Sequence, residues 1–216
     1  SNNAPGIDIV KFGKSISIIL DRINCSGKSI LEQYDLATDA YRKYYQYEVI
    51  TGAIRVTKEL IPEAAFREAV ANALVHRVWD INASISIAMF EDHIEITSPG
   101  GLPVGISKEN YLNGGISILR NPIIGNLFYR LRIIEHFGTG IRRINELYLG
   151  QNRKPQYTIS DSSIKIVLPT ITNEKGLTED ENIVFKLLGG RLMSSSEIVS
   201  ESGFGKSKVL AIFKRL

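Results

Sequence analysis

The stretch KELIPEAAFREAVANALVHRVW, residues 58–79, constrains this chain more than any other. It carries the strongest helical period in the sequence. Ala65, Ala69 and Ala73 form one apolar line and Phe66, Val70 and Leu74 the next, which supplies buried faces. Pro62 suits a first helical turn, where its missing N–H costs nothing. One row breaks the pattern. Glu68, Asn72 and His76 stand four apart, within about 80° of one another on a helix. An acid, an amide and an imidazole in one row either line a site or form an ordinary wet edge.

The chain has 216 residues, 44% of them hydrophobic and 23% charged, the profile of a globular protein with a sizeable core. One cysteine, Cys25, excludes a disulfide framework and fits a reducing cytosol. No apolar run reaches the roughly 18 residues of a membrane span, and no signal peptide is visible, so a cytoplasmic protein without membrane contact is expected. The start SNNAPG lacks Met and the end LAIFKRL stops inside a helical pattern, so both ends read as truncations. The net charge of +3 permits nucleic-acid contact without arguing for it.

Along the chain, KSISIILDRIN (14–24) has a helical rhythm, and the tyrosine-rich DLATDAYRKYYQYEVI (35–50) suits core and edge packing. SISIAMF and HIEITS, alternating around ED, predict a β-hairpin. SPGGLPVGISKENYLNGGISILRNP (98–122) is rich in glycine and proline and too long for a simple connection, as functional loops often are. A helix is predicted over 121–138, opened by Asn121 as N-cap with Pro122 at N1. GTGIRRINELYLG predicts another helix, and QYTISD with IKIVLP a second hairpin. A polar linker is expected at 172–176. Beyond it, Thr178 with Glu181 caps a helix, Ser195 or Ser196 caps the next, and Gly203 turns the chain into a basic helix bearing Lys206, Lys208, Lys214 and Arg215.

Two segments imitate a phosphate-binding loop. CSGKS and GFGKS contain Gly-Lys-Ser, but the earlier glycine that such a loop needs is replaced by Arg22 and Ser200. His76, His93 and His136 show no metal-ligand spacing with each other or with Cys25, and no nucleophile elbow is present. Arg120 and Asn121 suit either a phosphate contact or a plain helix start. Arg142 and Arg143 suit DNA, an oligomer interface or a solvated face.

FREAVANALVHRVW, IEITSPGGLPVGI and RNPIIGNLFYRLRIIEHFGTGIRRI, in that order, resemble a bacterial and archaeal family of RecG-related transcriptional regulators without helicase motors. Their middle domain is similar to the GHKL-type ATPase fold of gyrase, histidine kinases and MutL. The resemblance implies an α/β (α+β) domain over residues 1–171, with helices over one face of a mixed sheet. A partial winged helix-turn-helix would follow over 177–216. It implies ATP and Mg²⁺ as ligands, with Glu68 as general base and Asn72 as both magnesium ligand and nucleotide contact. His76, Ser98, Gly100 and Gly101 would join the nucleotide site from the helix and the first glycine box. Gly138, Thr139 and Gly140 would form the later phosphate loop. The family's adenine-reading Asp is replaced here by Thr97, Ser98 or Pro99, whose hydroxyls accept more weakly than a carboxylate. In the C-terminal segment, Lys206, Ser207 and Lys208 open the helix expected to enter the DNA major groove. Two functions stay open: a regulator whose GHKL-like domain senses a ligand or forms a homo-oligomer while flanking domains hold DNA, and a Mg-dependent ATPase acting with DNA. A bland reading also stays open, in which Glu68 is a surface charge, Asn72 bonds a loop carbonyl and His76 packs on Trp79.

Overall fold

The structure is a computed structural model that describes residues 5–51, 54–113, 118–134, 138–171, 178–188 and 193–213. The expected linker at 172–176, His136, Lys214 and Arg215 lie outside these residues. The chain divides into two units, Ser1–Ile171 and Thr172–Leu216.

The first unit is a mixed sheet covered by helices. Its strands are β1 (Ile7–Phe12), β2 (Ile19–Asn24), β5 (Ile85–Met89), β6 (His93–Pro99), β7 (Gln156–Ile159) and β8 (Ser163–Pro169), in the order β2-β1-β5-β6-β8-β7. β1 and β5 run parallel and the other neighbours antiparallel. The alternation that predicted β5–β6 and β7–β8 reflects one buried face. Ile85, Ile87 and Met89, then Ile94 and Ile96, then Ile166 and Leu168 point to the core, while polar residues such as Glu95 and Lys165 take alternate positions. β3 (Gln46–Thr51) and β4 (Ile54–Glu59) form a separate two-stranded ribbon.

The helical reading of 14–24 is corrected. Residues 19–24 are the edge strand β2, paired with β1. Its apolar residues Ile19 and Leu20 are exposed rather than turned to a core, so there was no buried helical face for their spacing to report.

Helices α1 (Ile30–Tyr45) and α2 (Glu63–His76) pack against the sheet and each other. The tyrosine-rich segment divides between core and edge: Tyr41 and Tyr45 are fully buried, Tyr41 stacks on Phe66 with ring centroids 4.8 Å apart, and Tyr47 is exposed on β3. α2 starts one residue later than the Pro62 reading placed it, with Pro62 at the N-cap position. Proline has no side-chain acceptor, and Glu59 Oε2 accepts from the Glu63 N–H at 2.8 Å instead.

The C-terminus of α2 is closed by an element far away in sequence. Arg120 Nη1 donates to His76 O at 2.9 Å, and Asn121 Nδ2 donates to Val75 O and Arg77 O at 2.7 and 2.9 Å. Asn121 does occupy the N-cap position of α4 (Pro122–Arg130), but its side chain does not cap α4. It caps α2 instead, because the orphan carbonyls of a buried helix end need donors. α4 also ends at Arg130, well before residue 138. Two further helices complete the unit, α3 (Lys108–Asn113) and α5 (Gly140–Leu147).

In the second unit, α6 (Glu179–Leu188), α7 (Ser195–Ser202) and α8 (Lys206–Phe213) pack around Val184, Ile198, Val209 and Ile212. Thr178 and Glu181 cap α6 reciprocally, as their spacing predicted. The cap of α7 is Ser194, not Ser195 or Ser196, since only Ser194 stands three residues before Glu197 and completes a capping box. Gly203 turns the chain with φ of 69°.

Asn121→Ala should destabilise the first unit by about 1–3 kcal/mol in urea unfolding, because the carbonyls of Val75 and Arg77 lose their half-buried donor, Asn121 Nδ2. Unchanged stability would show that these caps are dispensable.

Candidate functional site

Glu68 and Asn72 are adjacent turns of α2. Glu68 is 8% exposed, and Asn72 Nδ2 donates to its Oε1 at 3.3 Å. That bond leaves Asn72 Oδ1 as the amide's acceptor for another group. Asn72 therefore bonds within the row rather than to a loop carbonyl.

The start of α5 closes over this pair. A Cβ on Gly140 would run into Glu68 Oε1 and stand 2.8 Å from Asn72 Nδ2, so glycine is what lets α5 approach α2 here. One turn along, Arg143 brings Nη1 to 4.0 Å from Glu68 Oε2. Its neighbour Arg142 donates from Nε to Asn113 O at 2.6 Å, tying α5 to the end of α3. Neither contact was legible in the sequence, where Arg142-Arg143 read equally as a solvated face.

Glu68, Asn72 and His76 border one cavity of about 60 Å³, with Gly138 and Gly140 also on its lining. Ile106, Tyr111 and Leu119, from the long segment after β6, supply further wall. This volume accommodates a few waters. It is well below the roughly 300–1,000 Å³ of small-molecule sites. Thr139, between the two glycines, is the N-cap residue of α5 and makes no side-chain cap bond.

His76 sits at the far end of the row from Glu68. Its Nδ1 is buried with no hydrogen-bond partner among the described residues. Burial, and then the Arg120 charge, lower its pKa from 6.5 to about 4, so the ring is neutral at physiological pH. Burial also pushes the Tyr111 hydroxyl up to about 12. Beyond the end of α2, Trp79 carries the Arg77 guanidinium 4.5 Å over its ring. Arg77 itself is fully buried, donating to Pro5 O and Ala83 O at 2.6 Å each.

The first glycine box is placed differently from the expectation. Ser98 is buried and donates from Oγ to Ala73 O at 2.9 Å, bracing β6 against α2 beside a small adjoining cavity of about 10 Å³. Gly100 N–H donates to Ser162 O at 2.8 Å and Gly101 N–H to Asp161 O at 3.1 Å. A Cβ on Gly101 would lie 2.7 Å from the Ser160 and Asp161 carbonyls, and Gly100 has φ of +101°. These glycines form a backbone seam with the β7–β8 turn, and neither borders the 60 Å³ cavity. Their N–H groups are committed to carbonyls at least sixty residues away, a pairing no local motif announces. The structure thus brings Glu68, Asn72, His76, Gly138 and Gly140 together, sets Ser98 next door, and leaves Gly100 and Gly101 apart.

Among the described residues there is no cluster of three or more His, Cys, Asp or Glu side chains able to hold a metal. A magnesium ion here would depend on Asn72 Oδ1, waters and ligand oxygens, a donor set that suits this cation. In the second unit, Lys206 and Ser207 are exposed at the start of α8. Lys208 pairs with Asp180 at 2.9 Å and lies 4.2 Å over the Phe204 ring.

Residues 82–168 match the family model described as "Putative ATP-dependent DNA helicase recG C-terminal". The match supports a RecG-related, HATPase-like domain. It contains Gly138–Gly140 and begins after α2, so Glu68, Asn72 and His76 lie outside it. No curated protein matches this chain. Among solved structures, the chain is similar to the crystal structure of the DIP2311 protein from Corynebacterium diphtheriae, with a TM-score of 0.68 and 23% identity. That alignment covers 100% of this chain and 48% of the other, so this chain spans about half the length of that relative in fold. No helix among the described residues is long and apolar enough to cross a membrane.

The neutral His76 predicts a pH dependence. In the unfolded chain it titrates near 6.5 and in the fold near 4, so the unfolded chain binds the extra proton between these values. This part of the stability is complete above about pH 7 and is lost as pH falls through 6.5 toward 4, by about 2 kcal/mol at pH 5. Urea unfolding at neutral pH and at about pH 5 measures the drop, and His76→Leu should reduce it by that amount. An identical drop in the variant would contradict the assignment.

Proposed function

We propose that this protein is a nucleotide-responsive, DNA-binding transcriptional regulator. Its GHKL-like first unit takes an ATP-type nucleotide with Mg²⁺, and its winged-helix-like second unit meets DNA through α8. The observation that carries the reading is the Glu68–Asn72 pair on α2, with Glu68 buried and Gly140 at the start of α5 packed against both. An acid next to an amide, facing a glycine-bordered helix start, provides a water-polarising group and an oxygen ligand beside backbone N–H groups of the kind that meet phosphate.

The donor types suit a magnesium nucleotide, and the 60 Å³ cavity as folded does not hold one. Binding therefore moves the wall formed by Ile106, Tyr111 and Leu119 outward. Magnesium would supply charge neutralisation at the phosphates. Asn72 Oδ1 would hold the ion, Gly138–Gly140 would admit the phosphate backbone closely, and Arg143 would leave or share Glu68 as the charge at the site changes. The placement of Glu68 also favours a second reading, a Mg-dependent ATPase acting with DNA, in which this carboxylate polarises the attacking water.

Exposed Lys206 and Ser207 support the DNA contact, and Lys208 braces α8 against Asp180. A second copy of the chain is a further partner in this reading, supported by exposed Ile16, Ile18, Ile19 and Leu20 along the open edge of the sheet. The protein would act in the cytoplasm.

Calorimetric titration with ATP, with and without Mg²⁺, tests the reading. Mg-dependent binding that Asn72→Ala abolishes is expected. Absence of binding at millimolar ATP would reduce the first unit to a scaffold. If turnover accompanies binding, Glu68→Ala should remove turnover and keep binding. Duplex DNA binding should weaken steeply with salt and with Lys206→Ala.

A further inference from the structure

A larger cavity, of about 390 Å³, opens in the first unit where the start of α1, the start of α4 and the chain just past α2 come together. Its apolar walls are Ile30, Trp79, Pro122, Ile123 and Ile124, and its polar residues are Arg120 and Asn121. Glu68, Asn72 and His76 do not border it. The volume falls within the roughly 300–1,000 Å³ of small-molecule sites, whose usual build is an apolar wall with a few fixed polar groups.

The charge beside this cavity is unbalanced. Arg120 is half-buried and spends two N–H groups on carbonyls, His76 O at 2.9 Å and Gly101 O at 2.8 Å. A guanidinium carries five N–H donors, so most of this one stays open. Among the described residues no carboxylate pairs with it. Arg77 is fully buried, donates to two carbonyls and stacks over the Trp79 ring that forms one wall. Burial lowers its pKa, and no acid opposes the shift. The acids in sequence nearby do not compensate: Glu32 is taken by Lys28, and Asp80 is exposed and forms no ion pair among the described residues. Charges withdrawn from water are normally paired, and here two guanidiniums adjoin one apolar wall with no acid between them.

We propose that this cavity binds a small organic carboxylate with a flat apolar body. The body lies along the Trp79 ring between Ile30 and Ile123, and the carboxylate accepts from the open N–H groups of Arg120 in charge-assisted bonds. A neutral apolar molecule would leave the guanidinium unpaired, and an inorganic anion would leave the apolar wall unused. A docked protein engages about 20–30 residues a side, against the seven that border this cavity. The site stands apart from the nucleotide reading. Arg120 and Asn121 also clamp the end of α2, so an occupant bears directly on the helix that carries the polar row.

Trp79 is the single tryptophan of the chain, so its indole N–H gives one peak in ¹⁵N-labelled protein. The test titrates the full chain with unlabelled 1-naphthaleneacetate and with the neutral 1-naphthaleneacetamide, which has the same apolar body. Naphthaleneacetate should move the Trp79 peak saturably, and the amide should bind about tenfold more weakly or worse. Ile123 is 86% exposed, so Ile123→Asp leaves the core untouched while setting a negative charge at the cavity. It should weaken naphthaleneacetate about tenfold. Arg120→Gln should bring acid and amide to equal affinity. Should that variant fail to fold, the wild-type ratio of acid to amide and the Ile123→Asp result decide. A Trp79 peak that ignores both probes, equal wild-type affinity for acid and amide, or binding indifferent to Ile123→Asp would each overturn the inference. A peak that moves with protein concentration and not with the probes would make this face an interface between copies, and would overturn it as well.

Discussion

The capping of α2 is the contact on which the first unit depends. This helix is buried along Ala65, Phe66, Ala69, Val70, Ala73 and Leu74, and its last carbonyls have no partner within the helix. Arg120 and Asn121 supply the donors from across the fold. The same pair sets the start of α4, and Arg120 also reaches Gly101 O at 2.8 Å, on the seam between β6 and the β7–β8 turn. One short stretch of sequence therefore joins the buried helix, the end of the sheet and the next helix. The polar row on α2 keeps its position because its helix is held at this end.

The row draws its chemistry from unequal surroundings. Glu68 and Asn72 contact each other and the α5 backbone, with a guanidinium nearby. His76 shares the helix and the cavity but meets desolvation and the Arg120 charge, which keep its ring uncharged. Three residues at one spacing on one helix thus become an ionic end and a neutral end. Gly140 packs on Glu68, and Arg143 stands 4.0 Å from the same carboxylate, so the ionic end of the row is tightly enclosed.

Much of this was legible beforehand, for local reasons. The 3.6-residue period exposed α2 and its polar row, and period-two alternation exposed both hairpins. The Thr178–Glu181 box was visible because a capping box is written within four residues. What escaped depended on distant partners. Residues 19–24 became a strand because β1 lies beside them. Asn121-Pro122 looked like a helix start and is one, yet the Asn side chain serves a helix more than forty residues earlier. Gly100 and Gly101 read as part of the first glycine box, and their N–H groups bond the turn at 161–162. Gly140 carried no sign of its contact with Glu68 beyond its place in a Gly-Thr-Gly run.

On the proposed function, the α2 row faces a ligand and is not a polar edge trapped by packing. The most direct measurement is the side-chain amide resonance of Asn72, assigned in ¹⁵N-labelled protein and followed through a titration with ATP in the presence and absence of Mg²⁺. A saturable shift that requires the metal, accompanied by shifts at Gly138 and Gly140, is expected. An Asn72 resonance that stays fixed while ATP binds elsewhere, or that never moves at millimolar MgATP, would contradict it.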